Sequence, residues 1–268
     1  MKIVDCFTFY NELDILKYRL ALLDQVVDHF VLVEATLTHA GHAKPLYFEE
    51  NKALFEPYLH KIKHVIVDDF PCPAETLNVQ AGDAWKNEKH QRNAMDRGFF
   101  ALSLAPEDII TITDLDEIPD PDTLRKIKEG QIHVDIAILE QDMYYYNLTV
   151  KRVDKWYHPK IVSMKTYRQI WQPCDFLRFY RCPVIQRGGW HLSYFGDTAF
   201  IRNKIKEFAH QEFNKEEYTN EAAIQYAIDN TKFCTDRGQQ LVKVPIAENG
   251  YLPPLYDKYL QKFIPKSI

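Results

Sequence analysis

Short apolar runs and segments with helical spacing alternate over the first 120 positions of the chain. The apolar runs, which are typical of buried strands, lie at positions 2–10, 30–35, 62–67 and 109–113. Between them, apolar residues that recur every three or four positions predict helices over 12–27, 51–59 and 83–104. This β-α-β order predicts an α/β fold with a mostly parallel central sheet flanked by helices.

The second half of the chain has a less regular pattern. Strands are predicted over 134–150, 160–165 and 184–190, and helices over 120–129, 200–208 and 220–229. No internal repeat, low-complexity tract or long linker divides the sequence. A length of 268 residues with 46% hydrophobic content is sufficient for one sizeable core. The sequence therefore predicts a single domain over residues 1–268.

The net charge of the chain and the length of its apolar stretches limit the partners and the location that we expect for the protein. The chain has 33 Lys and Arg residues against 38 Asp and Glu residues, a formal net charge of −5. Nucleic-acid binders carry a basic patch that neutralises phosphates, so we expect no nucleic-acid partner. The longest apolar stretches, such as 99–105, are far shorter than the roughly 18 residues that a membrane span needs. The first residues run into a strand pattern rather than a signal peptide, so we expect a cytoplasmic protein without a membrane span.

Two carboxylates form the sharpest candidate site. Asp114 and Asp116 directly follow the apolar run at 109–113. In an extended segment, side chains two positions apart point the same way, and open α/β sheets bind ligands at the carboxyl ends of their strands. Two close carboxylates repel each other unless a cation lies between them. Their oxygens suit Mg²⁺ or Mn²⁺, which complete their shells with water and substrate phosphates. The alternative is an acidic loop that caps the next helix.

His191 is the candidate third metal ligand. It ends the predicted strand at 184–190, and Gly188 and Gly189 just before it would allow a ligand to approach closely. A neutral imidazole suits Mn²⁺. The alternative is a histidine with a purely structural hydrogen bond.

A further set of polar residues is predicted at the same sheet edge. Asn11, Glu12 and Glu34 follow the first two strands, and Glu88 and Arg92 share one face of a predicted helix. Arg92 could pair with a phosphate or a carboxylate. Lys44, in the loop after Glu34, could also contact phosphate. Helix capping and a solvated helix face are the alternatives.

Several of these segments together resemble glycosyltransferase family 17. The resemblance lies in residues 5–7 (DCF), 9–14 (FYNELD), 34–36 (EAT), 44–48 (KPLYF), 91–92 (QR), 114–119 (DLDEIP) and 189–191 (GWH). The matches come in order and cover about residues 1–265. The resemblance implies a GT-A-type nucleotide-sugar-binding fold, with residues 1–119 as the nucleotide-sugar half and 120–268 as the acceptor half.

The resemblance also implies an activity and residue roles. It implies a metal-dependent, inverting transfer of a sugar from a UDP-sugar to a glycan hydroxyl, with N-acetylglucosamine among the candidate sugars. Mn²⁺ or Mg²⁺ is the implied cofactor. Asp116 would ligate the metal, Asp114 would reach the ribose or the metal shell, and His191 would complete the site. The nucleotide pocket would be lined by Asn11, Glu12, Glu34 and Arg92.

The catalytic base and the class of function have alternatives. An inverting transfer needs a carboxylate that accepts the proton of the acceptor hydroxyl; Asp197 is the first candidate and Glu117 the second. Asp197 could instead cap the helix that follows it. Other classes are a haloacid-dehalogenase-type phosphatase, which uses a D-x-D motif on its first strand, and a non-catalytic carbohydrate-binding protein. The second is suggested by 13% aromatic content, including residues 144–146, Trp156, Trp171 and Trp190, although aromatic residues in strands are more often core.

Overall fold

The computed structural model describes residues 1–235 and 238–265. The strands are β1 (Ile3–Phe9), β2 (His29–Ala35), β3 (Ile62–Val67), β4 (Ile109–Asp114), β5 (Glu117–Pro119), β6 (Ile136–Tyr145), β7 (Asn147–Arg152), β8 (Lys160–Ser163), β9 (Val184–Ser193) and β10 (Leu241–Lys243). The α-helices are α1 (Leu13–Leu23), α2 (Tyr47–Glu50), α3 (Asp83–Asn93), α4 (Met95–Phe99), α5 (Pro121–Lys128), α6 (Met164–Ile170), α7 (Cys174–Arg178), α8 (Thr198–Glu207), α9 (Glu216–Thr219), α10 (Glu221–Asp229) and α11 (Tyr256–Tyr259). Short 3₁₀ helices lie at Lys52–Lys61, Phe100–Leu102, Gln211–Phe213, Ile246–Glu248 and Gln261–Phe263.

The strands form a mixed sheet. Its order is β10-β7-β6-β8-β4-β1-β2-β3, and β9 pairs with β5 and β6. The pairs among β1, β2, β3 and β4 are parallel, whereas β8 pairs antiparallel with β4 and β6, and β7 with β6 and β10. β6 ends at Tyr145 and β7 begins at Asn147, a connection too short for the crossover of a dozen or more residues that parallel pairing requires. The α/β fold with a helix-flanked central sheet is therefore confirmed, but the sheet is mixed: its parallel pairs are those among β1, β2, β3 and β4 and the pair of β6 with β9.

Two predicted elements are divided in the structure. The strand predicted over 134–150 is a hairpin of β6 and β7 that turns at Tyr146, with φ of +68°. This conformation is uncommon for a bulky residue; Tyr146 is buried, and its hydroxyl donates a 2.9 Å hydrogen bond to the Lys232 carbonyl. The helix predicted over 83–104 is divided into α3, α4 and a 3₁₀ turn. Gly98 lets α4 approach the sheet, because a Cβ there would lie 2.3 Å from Val31 Cγ1.

The sheet is buried on both faces. Along β2, Phe30 and Leu32 belong to one hydrophobic cluster, and Val31 and Val33 belong to another. Successive side chains of a strand point to opposite faces, so these two clusters lie on the two sides of the sheet. This explains why the strand sequences are continuously apolar rather than alternating.

Most of the aromatic residues noted in the sequence belong to the core. Tyr144, Tyr145 and Trp190 are buried, whereas Trp156 is half-buried and Trp171 is exposed. In the part of the chain that the structure describes, no helix has the length and apolar character needed to cross a membrane.

Candidate active site

A pocket opens at the carboxyl ends of β1, β2 and β4. Its volume is about 220 Å³. The charged residues that line it are Glu12, Lys44, Glu88, Arg92, Asp114, Asp116, Arg178, Lys204 and Glu207. Rings in its lining include those of Tyr10, His39, Trp156, His191 and His210. Open α/β sheets bind ligands at this edge, and here it combines the end of β4 with side chains from the second half of the chain.

A buried arginine fixes the backbone that carries the two aspartates. Arg19 projects from α1 and binds both oxygens of the Asp5 carboxylate at 2.7 and 2.8 Å. The Nη1 atom of Arg19 also donates to the carbonyls of Asp114 and Leu115, at 2.9 and 2.8 Å. Both side chains of this ion pair are fully buried. These charge-assisted hydrogen bonds hold the turn after β4 against β1 and α1.

Asp114 lies between two arginines. Its Oδ1 accepts from Arg92 Nη2 at 3.1 Å, and its Oδ2 lies 2.9 Å from Arg178 Nη2. Burial alone would raise the pKa of Asp114, but the guanidinium groups of Arg178 and Arg92 outweigh burial and hold this pKa well below its usual range. The carboxylate is therefore charged, and both of its oxygens are engaged by side chains of the protein.

Asp116 faces a lysine and a histidine. Lys204 Nζ lies 3.1 Å from Asp116 Oδ2 and 3.0 Å from Glu12 Oε1, so the ammonium group bridges the two carboxylates. His191 Nε2 lies 3.5 Å from Asp116 Oδ1. Burial opposes ionisation of Asp116, but the ammonium group of Lys204 and the neighbouring His191 hold its pKa far below the usual range. Burial alone would lower the pKa of Lys204, but the carboxylates of Asp116 and Glu12 outweigh burial and raise this pKa.

The position of His191 depends on close strand packing. Residue 191 of β9 is in register with Glu117 of β5. Gly189 has φ of +143°, and a Cβ there would lie 2.0 Å from the Ile118 carbonyl oxygen, so only glycine allows this approach. The His191 ring lies 4.8 Å from the Trp156 ring. Its Nδ1 is buried and has no hydrogen-bond partner among the described residues.

Helix α3 is fixed to the sheet edge by Gln91. The Nε2 atom of this side chain donates to the carbonyls of Phe9 and Val33, at 3.2 and 3.0 Å. The next residue, Arg92, is thereby held beside Asp114 and also binds Glu88 Oε1 at 2.6 Å. Burial opposes ionisation of Glu88, but Arg92 lowers the pKa of this carboxyl. The predicted helix face is therefore part of the pocket wall rather than a solvated surface.

The remaining residues predicted to bind the nucleotide differ in position. Glu12 and Lys44 line the pocket, whereas Asn11 and Glu34 are not among its lining residues. Glu34 is fully buried and accepts a 3.0 Å hydrogen bond from the Phe48 amide. It also lies 3.7 Å from Lys44 Nζ, so it orients a pocket residue without facing the cavity itself.

Neither predicted base lines the pocket. Asp197 is exposed and caps α8, where its Oδ1 accepts a 2.8 Å hydrogen bond from the Phe200 amide. This matches the capping alternative. Glu117 is fully buried; its oxygens accept from Arg178 at 2.7 and 2.9 Å and from Trp156 Nε1 at 2.6 Å. This carboxylate positions Arg178 and Trp156 at the pocket.

Sequence reasoning missed two cations of the site. Arg178 lies on α7, a helix of five residues, which is too short to give a periodic pattern. Lys204 lies within the helix predicted over 200–208, but the direction in which its side chain points depends on how α8 packs over the sheet edge. Periodicity could have placed Lys204 on the same helix face as Ile201 and Ile205, which are buried.

The charge balance of the pocket is unfavourable for an anion alone. The described lining residues include four Lys and Arg side chains and five Asp and Glu side chains. All four cations have carboxylate partners. A diphosphate would therefore meet no uncommitted cation among the described lining residues. The described residues also contain no group of three or more His, Cys, Asp and Glu side chains arranged to hold a metal ion.

An α/β sheet with a charged pocket at the carboxyl end of its strands is typical of nucleotide-using enzymes. Comparison with known sequences identifies the family: the model of glycosyltransferase family 17 matches residues 1–237, and the chain belongs to this family.

Curated relatives match a shorter stretch. The beta-1,4-mannosyl-glycoprotein 4-beta-N-acetylglucosaminyltransferase of Rattus norvegicus is 31% identical over 131 residues, which are 47% of this chain and 23% of the rat protein. The protein of the same name from Homo sapiens is also 31% identical over 131 residues, 47% of this chain and 24% of the human protein. The matched region thus spans about a quarter of the length of these relatives.

Proposed function

We propose that the chain transfers a sugar from a UDP-sugar to a hydroxyl of a glycan, with inversion and with a divalent cation. The main support for this proposal is that Asp116, His191 and Lys204 line one pocket at the end of β4. The chain also belongs to glycosyltransferase family 17. N-acetylglucosamine is the first sugar to test, because the curated relatives are named for its transfer.

Asp116 and His191 are the residues that fit a divalent cation. Lys204 Nζ lies 3.1 Å from Asp116 Oδ2, whereas the other oxygen of this carboxylate, Oδ1, faces His191. His191 Nε2 lies 3.5 Å from Asp116 Oδ1, so both atoms can face one ion, and imidazole suits Mn²⁺. Two protein ligands suffice because Mn²⁺ and Mg²⁺ take their other ligands from water and substrate phosphates. Asp114 fits less well, since two arginines engage its oxygens. When bound, the cation would neutralise charge on the diphosphate leaving group.

The side chains of the protein would bind and orient the substrates. Lys204 provides a positive charge beside Asp116 and is carried by α8, which lies over the sheet edge. Arg92 and Arg178 keep Asp114 charged and fixed. The acceptor proton must go to a carboxylate. Because Asp197 and Glu117 lie outside the pocket lining, we expect that carboxylate to be one of those that line it.

The phosphatase alternative lacks support from the topology. Its D-x-D motif is expected after the first strand, whereas Asp114 and Asp116 follow β4. A non-catalytic carbohydrate-binding protein would have no need for a pocket in which charged side chains are paired at the end of a strand. We therefore propose no second function.

The test measures UDP binding and UDP release from UDP-N-acetylglucosamine, UDP-glucose and UDP-galactose, with and without MnCl₂. We expect Mn²⁺-dependent binding of at least one donor. Asp116→Asn should weaken this binding by more than about 100-fold, since even the outer partners of metal ligands are worth 10–100-fold. Asp122→Asn is the matched control, because Asp122 is an exposed carboxylate of α5. Equal Mn²⁺-dependent UDP release by the wild type and by a folded Asp116→Asn variant would contradict the proposal.

A further inference from the structure

Helix α7 has two different faces. Asp175 and Arg178 are buried and point toward the site, whereas Phe176 is 49% exposed and Phe179, the residue that follows the helix, is 65% exposed. Tyr180, just after the helix, is 38% exposed. Aromatic side chains of this size are mostly buried in folded proteins. A contiguous exposed group of them therefore indicates a binding surface.

These three aromatic side chains line a cleft of about 540 Å³. The other lining residues are Lys89, Asn93, Gln172, Pro173, Asp175 and Arg181. Among the described residues that line the cleft, none is Leu, Ile, Val or Met. The cleft thus combines flat apolar rings with hydrogen-bonding side chains.

Two paths of side-chain contacts link the cleft to the candidate active site. The first is a chain of ring contacts: Phe179 lies 5.4 Å from His158, His158 lies 4.5 Å from Trp156, and Trp156 lies 4.8 Å from His191. Trp156 and His191 line the active-site pocket.

The second path is an ion pair. Arg92 Nη1 binds Asp175 Oδ1 at 2.5 Å, and Arg92 Nη2 binds Asp114 Oδ1 at 3.1 Å. Asp175 lines the cleft and Asp114 lines the pocket. Arg92 therefore joins the wall of the cleft to the wall of the pocket.

We propose that the α7 cleft is an acceptor subsite that binds pyranose residues of an oligosaccharide, beyond the residue that receives the sugar. Pyranose rings have C–H faces that pack on aromatic rings, and their hydroxyls require the polar partners that Asn93, Gln172 and Arg181 provide. Rings in the cleft would hold an acceptor chain whose reacting end crosses Trp156 into the pocket. This inference rests on the proposed glycosyltransferase function.

The test measures binding of defined sugars by calorimetry with UDP and MnCl₂ present. The probes are chitohexaose, mannohexaose and cellohexaose with their monosaccharides. We expect at least one hexasaccharide to bind more tightly than its monosaccharide. Phe179→Ala and Phe176→Ala should each weaken that binding about tenfold, equal to about 1.4 kcal/mol. Tyr226→Ala is the matched control, because Tyr226 is a 57% exposed aromatic residue on α10, and should leave binding unchanged.

The outcomes separate this inference from the proposed function. UDP-sugar binding and UDP release into water should be the same in Phe179→Ala and in the wild type, since Phe179 does not line the donor pocket. Failure of all three hexasaccharides to bind, or binding that survives both phenylalanine variants, would overturn the subsite while leaving donor binding intact. A wild-type dimer that Phe179→Ala converts to a monomer would show that the face is a self-association surface instead. Loss of donor binding by the wild type would contradict the proposed function itself.

Discussion

Two regions form the candidate active site, and they differ in how they are held. The strand-end region of β1, β2 and β4 is tied to the core through backbone carbonyls, which Arg19 and Gln91 bind from α1 and α3. The covering region, residues 174–207, reaches the pocket through the tips of long side chains, Arg178 and Lys204. The first region fixes where the site lies. The second contributes two of its four cations, Arg178 and Lys204, and carries the exposed face of α7.

The strand-end region was largely predictable from sequence. The apolar run at 62–67 coincides with β3, and the runs at 30–35 and 109–113 differ from β2 and β4 by one residue. Asp114 and Asp116 lie at the carboxyl end of β4 in the pocket, as their spacing after an apolar run predicts. Parallel β-α-β units connect neighbours in sequence to neighbours in space, so local patterns carry this information.

The covering region was not predictable in the same way. β9 pairs in parallel with β6 across about 40 residues of chain, and no local pattern specifies such a partner. Arg178 lies on a helix too short for periodicity to show. Arg178 and Lys204, which pair with Asp114 and Asp116, come from this region, so the sequence predicted both carboxylates and Arg92 but not these two cations.

The largest effect is expected from a substitution that destabilises the strand-end region. Arg19→Met should lower the free energy of unfolding by about 3–5 kcal/mol, because it leaves the buried carboxylate of Asp5 without its partner. Urea unfolding followed by circular dichroism measures this loss. The control Arg125→Met, at an exposed position of α5, should change stability by no more than about 0.5 kcal/mol. A loss as small as that of the control would show that Arg19 does not hold the turn after β4.

A second prediction separates binding from stability in the covering region. Lys204→Met should weaken UDP binding in the presence of Mn²⁺ by about tenfold or more, since hydrogen bonds between charged groups contribute about 1.5–3 kcal/mol. Isothermal titration measures the affinity. Lys206→Met, at an exposed position of the same helix, is the control and should bind UDP like the wild type. Should the melting temperature of Lys204→Met fall while its UDP affinity stays unchanged, Lys204 would act only within the fold.

A third prediction concerns His158, which lies between the two regions. Burial, aided by the charge of Arg178, lowers the pKa of this imidazole to about 4. Its pKa in the unfolded chain is about 6.5, so the unfolded state binds the proton first and stability falls as pH drops from about 6.5 toward 4.

The variant His158→Phe keeps a ring in contact with Trp156 and Phe179 but removes this titration. Relative to the wild type, it should gain about 1 kcal/mol in free energy of unfolding between pH 7 and pH 5, after allowance for partial solvent screening. Urea unfolding at both pH values measures the difference. The exposed His133 provides a control, since His133→Phe should keep the wild-type pH dependence. Parallel pH profiles of the wild type and His158→Phe would rule out a buried neutral imidazole at position 158.

The smallest effect is expected from substitutions of Asp197, which also lies in the covering region. Its carboxylate caps α8 and is exposed to solvent, so Asp197→Ala should cost about 1 kcal/mol of stability. Asp197→Asn should cost much less, because asparagine caps helices as well as aspartate does. Neither variant should lower kcat by the 10²–10⁴-fold expected for a lost general base. Measured together, unfolding and kcat distinguish the two roles, since a base would show a large loss of kcat in Asp197→Asn without loss of stability. That result would place Asp197 in contact with the acceptor during turnover, and α8 would then have to move toward the pocket when substrates bind.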